Sequence, residues 1–566
     1  MRVSRRTYVI LFGLLFLAYL GGLFLEIMEV DAAQYAEMSL EMLKSKSILQ
    51  LYDGGVPYLD KPPLLMWLSS FSFYVFGVSD FAYRLPSFFG SILSVYCTFR
   101  LAKQWYNVTM ANWAALILAA CQAFFLFNHD VKTDNLLTSM AIFAIWQFSS
   151  YIRTRSSIHF ISGFIGVGLA MLAKGPIGLV LPAAAIFGHL ALQREWKKIF
   201  NAGWILGIPI VLMVLSPFLV GLYQQWGWHG IRFFFWTQSF GRITGESEWN
   251  NHSGAFYFVH TFLWAFIPWT ICALVALFYS GKELVQSRFK LQSGQEGITI
   301  SGFVLVFIAL SMSRYKLPHY IFVLLPLAAI FTARWIYVLQ EQKSKVYPWV
   351  KNIQVTIYFL LSASIVGILI YVFPPMYWPR PEFMFGTLNW FFWMFYYHII
   401  NIVVLMLLIG LSVAVFSRGA FGKIIAAGVI CISAINIGLN NDFYPRLLKY
   451  QVSNSVGREL VKMNIPEDRF FFYGMAGCHS LNYYSHRINH QIYEPALHEE
   501  LKKHDVWVYI NEDDWKHIGN YPEVGNPYNV PLLKYPVQLL KPAFLNPATR
   551  EKACDHMYLL HFEKLK

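Results

Sequence analysis

Charge is what this 566-residue sequence has least of: Asp, Glu, Lys and Arg make up 14% of it, against 56% hydrophobic residues and 18% aromatics. A chain so poor in charge cannot coat a water-soluble globule, and soluble enzymes are excluded as a class. Cysteine is scarce as well, six residues with no Cys-x-x-Cys spacing, so neither a metal cage nor a disulfide framework is encoded. Cys97, Cys121, Cys272 and Cys431 fall in apolar runs and read as small packed hydrophobes. No glycine-rich phosphate loop is visible, so no nucleotide-binding motif of that kind is encoded. There is no internal repeat and no long basic tract. The net charge of +13 is spread in small clusters between apolar segments, which is the pattern of membrane orientation and not of nucleic-acid binding.

What is present is a series of apolar runs near the ~20 residues that cross a bilayer. They fall at about 8–25, 84–101, 109–127, 134–152, 158–174, 176–193, 202–223, 255–279, 298–312, 317–340, 352–373, 392–416 and 420–440, which makes thirteen expected spans. The basic clusters, from Arg5-Arg6 through Arg153 and Arg155 to Arg418 and Lys423, all share one side if the N-terminus is cytoplasmic. The run 64–78 is apolar but short and reads as an interfacial or re-entrant helix on the outer side. The opening segment lacks a small-residue cleavage site and runs into Glu26 and Glu29, so it reads as a first anchor and not as a signal peptide.

Beyond residue 441 the composition turns mixed, with β-like runs at Phe470–Tyr473 and Val506–Ile510 and a helical pattern over Leu497–Lys503. The expected architecture is therefore a polytopic α-helical membrane domain over 1–441, with an outer first loop at 26–83, followed by a small α/β domain over 442–566 outside the cytoplasm. Cys478 and Cys554 would share that oxidising side, and whether they pair stays open.

Ionisable groups gathered at the mouth of membrane helices are costly unless they bind something. On the outer side the first loop carries Asp31, Tyr35, Glu37, Tyr58, Asp60 and Lys61, and the second carries His129, Asp130, Lys132 and Asp134. Lys174-Gly175-Pro176 forms a tight reversal, the next loop holds Arg232, Gln238, Arg242, Glu246 and His252, and another holds Lys316, His319 and Tyr320. Acids paired with cations on one face suit an anionic, lipid-linked substrate. Bland readings compete. Asp31, Glu37 and Asp134 could cap helices, Lys61 could snorkel, and the tyrosines could belong to a membrane aromatic belt.

Four pieces in order, Asp31-x-x-x-Tyr35-Ala36-Glu37, Tyr58-x-Asp60-Lys61-Pro62, Lys174-Gly175 and Lys316-Leu317-Pro318-His319-Tyr320, resemble the bacterial aminoarabinose transferases of lipid A and their wider kin, the protein O-mannosyltransferase-like type C glycosyltransferases. The resemblance covers the membrane part and implies transfer of a sugar from a polyprenyl-phosphate donor to lipid A, another glycan or a protein, at the outer face of the bacterial inner membrane. Carried over residue by residue, it implies Asp31 as catalytic base or acceptor-orienting group and Lys61, Lys174 and Arg242 as holders of the donor phosphate. It also implies Tyr35, Tyr58, Asp60, Asp134 and Tyr320 as pocket residues. Many relatives have a second acid after the aspartate, and here that position is Ala32, which puts a paired-carboxylate metal site in doubt. The residues single out no definite cofactor, and a divalent metal is left open by His129, His252 and His319. The alternative function is a transporter or flippase of a lipid-linked glycan, which would place its charges near the bilayer midplane in repeated halves.

Overall fold

The computed structural model describes residues 4–238, 241, 253–292, 294–372, 387–417, 420–474, 478–518 and 532–565, with 387–398 described by backbone alone. Every apolar run read from the sequence is helical where it is described. The chain opens with α1 (Arg5–Gly21), whose N-terminus is capped by the Ser4 hydroxyl accepting from the Thr7 N–H at 3.1 Å. The first loop follows, carrying α2 (Asp31–Ser45), a short hairpin of β1 (Tyr52–Asp53) and β2 (Val56–Pro57), and α3 (Leu64–Phe76). Then come α4 (Asp80–Trp105), α5 (Val108–Ala119), α6 (Gln122–His129), α7 (Thr133–Thr154), α8 (Ser157–Lys174) and α9 (Ile177–Leu192).

Among the described residues seven helices are long and apolar enough to cross a membrane, and α5 with α6, bent by 51°, would make an eighth. Ile177–Leu192, Ile298–Met312 and Ile399–Val415 are apolar but shorter. The chain is a multi-pass membrane protein. At ~1.5 Å per residue α3 rises only ~20 Å, short of a bilayer core, and it turns Phe71, Tyr74 and Phe76 outward as an apolar face suited to lying in the interface. The run 255–279 is two helices, Tyr257–Ala265 and Thr270–Gln286, because Pro268 supplies no N–H to continue the first.

The last apolar helix runs on past residue 441 to Leu448. Beyond it lie the helix Val452–Lys462 and a five-stranded sheet ordered β4-β3-β5-β7-β6, with β3 at Phe470–Tyr473, β4 at His490–Ile492, β5 at Val506–Asn511, β6 at Leu532–Lys534 and β7 at Asp555–Phe562. β3 is parallel to both β4 and β5, whereas β7 is antiparallel to β5 and β6. Alternation along β5 divides the core: Tyr509 packs with Val456, Leu460 and Phe470 on one face, while Val508 and Ile510 pack with Leu497 and Leu501 on the other. The helix expected over 497–503 begins earlier, at Glu494, and ends at Leu501.

This small α/β unit docks on the first loop. Tyr484 Oη accepts from the Ile27 N–H at 2.8 Å and donates to Asp80 Oδ1 at 2.6 Å. The Gln451 amide bridges the Ile27 carbonyl and the Glu29 N–H, and Asn454 Nδ2 donates to Glu26 at 2.9 Å. The fully buried Arg84 fastens the same corner from below, donating to the carbonyls of Leu25, Glu26 and His129. Cys478 and Cys554 are both free; Cys478 faces Glu29, and Cys554 donates to the Arg550 carbonyl.

Candidate active site

Asp31 is the first residue of α2, where the unpaired amide dipoles favour a negative charge. Its carboxylate does not cap that helix but reaches 101 residues along the chain, to Lys132 Nζ at 2.8 Å. Lys132 in turn lies 3.3 Å from Asp130. Burial works against ionisation of Asp31, but Lys132 beside it, with Lys61 and Lys174 behind, outweighs that and holds the carboxyl below the ordinary aspartate value of 3.8. Asp130 and Asp31 in turn outweigh the burial of Lys132 and raise its pKa, which keeps the ammonium protonated.

Lys174 closes α8 at a reversal that the local sequence makes possible. Gly175 takes φ +95°, open to glycine and strained for other residues, and a Cβ on Gly178 would stand 2.5 Å from the Ala170 carbonyl carbon. Brought in this way, Lys174 Nζ contacts Asp134 Oδ1 at 2.5 Å and sits 3.9 Å from the centre of the Tyr320 ring. His319 Nε2 is 3.7 Å from the other Asp134 oxygen. Asp134 is buried, with a side chain only 2% exposed, so it is an ion-pair partner and not a solvent-facing cap. Lys61 pairs with its neighbour Asp60, and Gln238 donates its amide to the Asp60 carbonyl.

Tyr35 and Tyr58 lie within the same field. Burial first, and then the charges of Asp31 and Asp60, push both phenols well above their ordinary range, so they serve as neutral hydroxyls at neutral pH. The structure thus gathers Asp31, Tyr35, Tyr58, Asp60, Lys61, Asp134, Lys174 and Tyr320 around one polar cluster. Arg242 lies outside the described residues, as do Glu246 and His252.

The sequence singled out His319 only as one of three histidines that leave a metal open and gave Lys132 and Gln238 no role of their own, although all three stand in that cluster. The signal that could have found Lys132 was its setting between Asp130 and Asp134 at the mouth of a helix. His129 is corrected: it is not a surface-loop histidine but a ring 2% exposed, packed edge-on against Tyr444 at 4.9 Å. Lys316 is buried too and donates to the Ser253 carbonyl at 2.9 Å. Among the described residues His129 and His319, which the sequence left open as metal ligands, do not come together as a ligand group. Among the described residues, metal-ligating atoms converge instead at Glu37, Asp53 and His479.

Residues 60–220 match the family model described as dolichyl-phosphate-mannose-protein mannosyltransferase. The chain is 24% identical over 341 residues to an undecaprenyl phosphate-alpha-4-amino-4-deoxy-L-arabinose arabinosyl transferase of Enterobacter sp. (strain 638), covering 59% of this chain and 60% of that protein. It is 28% identical over 350 residues to a second such transferase from Pseudomonas fluorescens (strain Pf0-1), with 58% and 59% covered. The chain therefore spans about three fifths of the length of these curated relatives. In fold it is similar to ArnT from Cupriavidus metallidurans bound to undecaprenyl phosphate, with a TM-score of 0.72 at 16% identity over 92% of this chain and 97% of that one. The apo state of that protein gives 0.69 at 15% identity, over 91% and 95%. Over residues 60–220 the chain is thus similar to the dolichyl-phosphate-mannose-protein mannosyltransferase family, and it shares the fold of ArnT.

Proposed function

We propose that this protein moves a sugar from a polyprenyl-phosphate carrier to lipid A or another envelope acceptor at the outer face of the bacterial inner membrane. In this reading the N-terminus is cytoplasmic, residues 1–441 form the transferase domain, and 442–566 form an extracytoplasmic α/β domain over the first loop. The observation that carries it is an ionised Asp31, tied to Lys132, inside the field of Lys61 and Lys174 at the mouth of the membrane helices.

Transfer forms a bond from an acceptor oxygen to the anomeric carbon and breaks the bond from that carbon to the phosphate oxygen. Charge then develops on the departing polyprenyl phosphate. Lysines fixed in a partly dehydrated cleft stabilise that charge without reorganising. Lys61 and Lys174, each now resting on an aspartate, are the groups assigned to it, with Arg242 as a third. A hydroxyl acceptor loses its proton to Asp31 as the new bond forms. A phosphate acceptor arrives ionised, and Asp31 then orients it through Lys132. Tyr35, Tyr58 and Tyr320, with Asp60 and Asp134, shape the sugar pocket.

The relatives named as arabinosyl transferases and the fold neighbour bound to undecaprenyl phosphate support this choice of donor class. The test is mass spectrometry of envelope lipids and glycans from cells with the protein, without it, and with Asp31→Asn. One glycosylated species missing from both altered strains identifies sugar and acceptor together. A precursor that only changes leaflet, with no lost product, refutes transfer.

A further inference from the structure

We infer that Glu37, Asp53 and His479 form a divalent transition-metal site, of zinc type, which clamps the C-terminal domain onto α2. The three ligating atoms lie within 4.8 Å of one another. His479 Nδ1 is 2.7 Å from Glu37 Oε2 and 3.6 Å from Asp53 Oδ1. Bond lengths of ~2.0–2.1 Å in a tetrahedral shell place ligand atoms ~3.3 Å apart, a value these two separations bracket. Seating an ion would shift each atom by well under ~1 Å.

The surroundings are those of an oriented ligand set. Each carboxylate has its second oxygen held by an amide: Asn482 Nδ2 donates to Glu37 Oε1 at 2.8 Å, and Gln34 Nε2 donates to Asp53 Oδ2 at 2.6 Å. This leaves Glu37 Oε2 and Asp53 Oδ1 turned towards the imidazole, the outer-shell arrangement common around bound metals. Gly54 and Gly55, at φ +60° and +81°, make the turn that delivers Asp53. A third carboxylate, Glu41, sits one turn along α2 and accepts from the Gly55 N–H at 3.0 Å.

Two facts point to a missing positive charge. Asp53 Oδ1 and Glu41 Oε2 are both buried atoms with no hydrogen-bond partner. Among the described residues no lysine or arginine pairs with Glu37, Glu41 or Asp53, and His479 is their one ion-pair partner. A buried carboxylate oxygen without a partner is expensive, and two acids facing one imidazole, with Glu41 a turn away, are best satisfied by a dication. An imidazole nitrogen among the donors favours zinc over manganese, magnesium or calcium, which suit all-oxygen shells. The site is separate from the lysine cluster, since Glu37 lies six residues beyond Asp31, a rise of ~9 Å along α2. Because α2 begins with Asp31, metal binding would fix the same helix that presents that residue.

The test uses tag-free full-length protein in nanodiscs, stripped with chelator and then titrated with Zn2+ and, separately, Mn2+. Elemental analysis and thermal unfolding are the readouts, so no transferase activity is required. The wild type is expected to hold one equivalent of Zn2+, and its melting temperature to rise with Zn2+ concentration by mass action. Asp53→Asn and His479→Gln should lose both responses, while Asp31→Asn keeps them. Two variants are used so that if one fails to fold the other still reports. A wild type that takes up no metal overturns the proposal, as does a folded Asp53→Asn or His479→Gln that retains its equivalent. Loss of metal in Asp31→Asn would overturn the separation from the lysine cluster.

Discussion

At the scale of residues, the account turns on Asp31 and on what Lys132 does to it. The depressed carboxyl stays ionised until pH falls below the ordinary 3.8, so Asp31 imposes no acid limb on transfer in the mildly acidic range. Lys132→Met removes the nearest cation and leaves burial less opposed, which raises the Asp31 pKa. The acid limb of kcat/KM then moves to higher pH, seen in a profile over about pH 4 to pH 7; an unmoved limb would place Lys132 outside the mechanism. Lys174→Ala should weaken binding of the polyprenyl phosphate by about 10- to 100-fold, the size expected for a lost charge-assisted hydrogen bond. Lys174 and Asp134 stood out in the sequence because a charge at the end of an apolar run needs a reason, and Lys61 because of the Tyr58-x-Asp60-Lys61-Pro62 motif. The Asp31–Lys132 pair was not legible as a pair, since nothing local joins residues 101 positions apart.

Among the elements, the decisive one is the reversal between α8 and α9. Gly178→Ala forces a methyl group against the Ala170 backbone, so it should cost about 1–3 kcal/mol and displace Lys174. Transfer is expected to fall about 10- to 100-fold, because displacements near 1 Å are enough to spoil alignment. Gly281→Ala is the control: nothing lies within 4 Å of its added methyl, and it should leave melting unchanged or slightly raised. Helix positions were readable because membrane helices must be long and apolar. The division of 255–279 into two helices was not read, although Pro268 was its visible signal. The short α3 was read by the length rule itself, thirteen residues being too few to span.

For the whole molecule, the question is how the C-terminal α/β unit is held against the first loop. Tyr484→Phe removes the hydroxyl that joins Ile27 to Asp80. Docking should weaken by about 1–3 kcal/mol, measured as faster limited proteolysis between the membrane helices and the domain. An unchanged cleavage rate would assign docking to the Gln451 and Asn454 contacts alone. The domain's α/β character followed from its strand and helix patterns, but its seat on the first loop did not. That seat depends on Gln451, Asn454, His479 and Tyr484, ordinary polar residues in sequence whose partners lie more than four hundred positions away.

The most direct test of the central claim separates donor binding from transfer in purified wild type, Asp31→Asn and Lys174→Ala. Binding of polyprenyl phosphate is measured at equilibrium, and transfer in a single turnover with a lipid-linked sugar. The account predicts that Asp31→Asn binds the carrier within about threefold of wild type while transfer is lost by at least about 100-fold, whereas Lys174→Ala loses both. Equal loss of binding and transfer in Asp31→Asn would contradict the role of Asp31 as the group that acts on the acceptor.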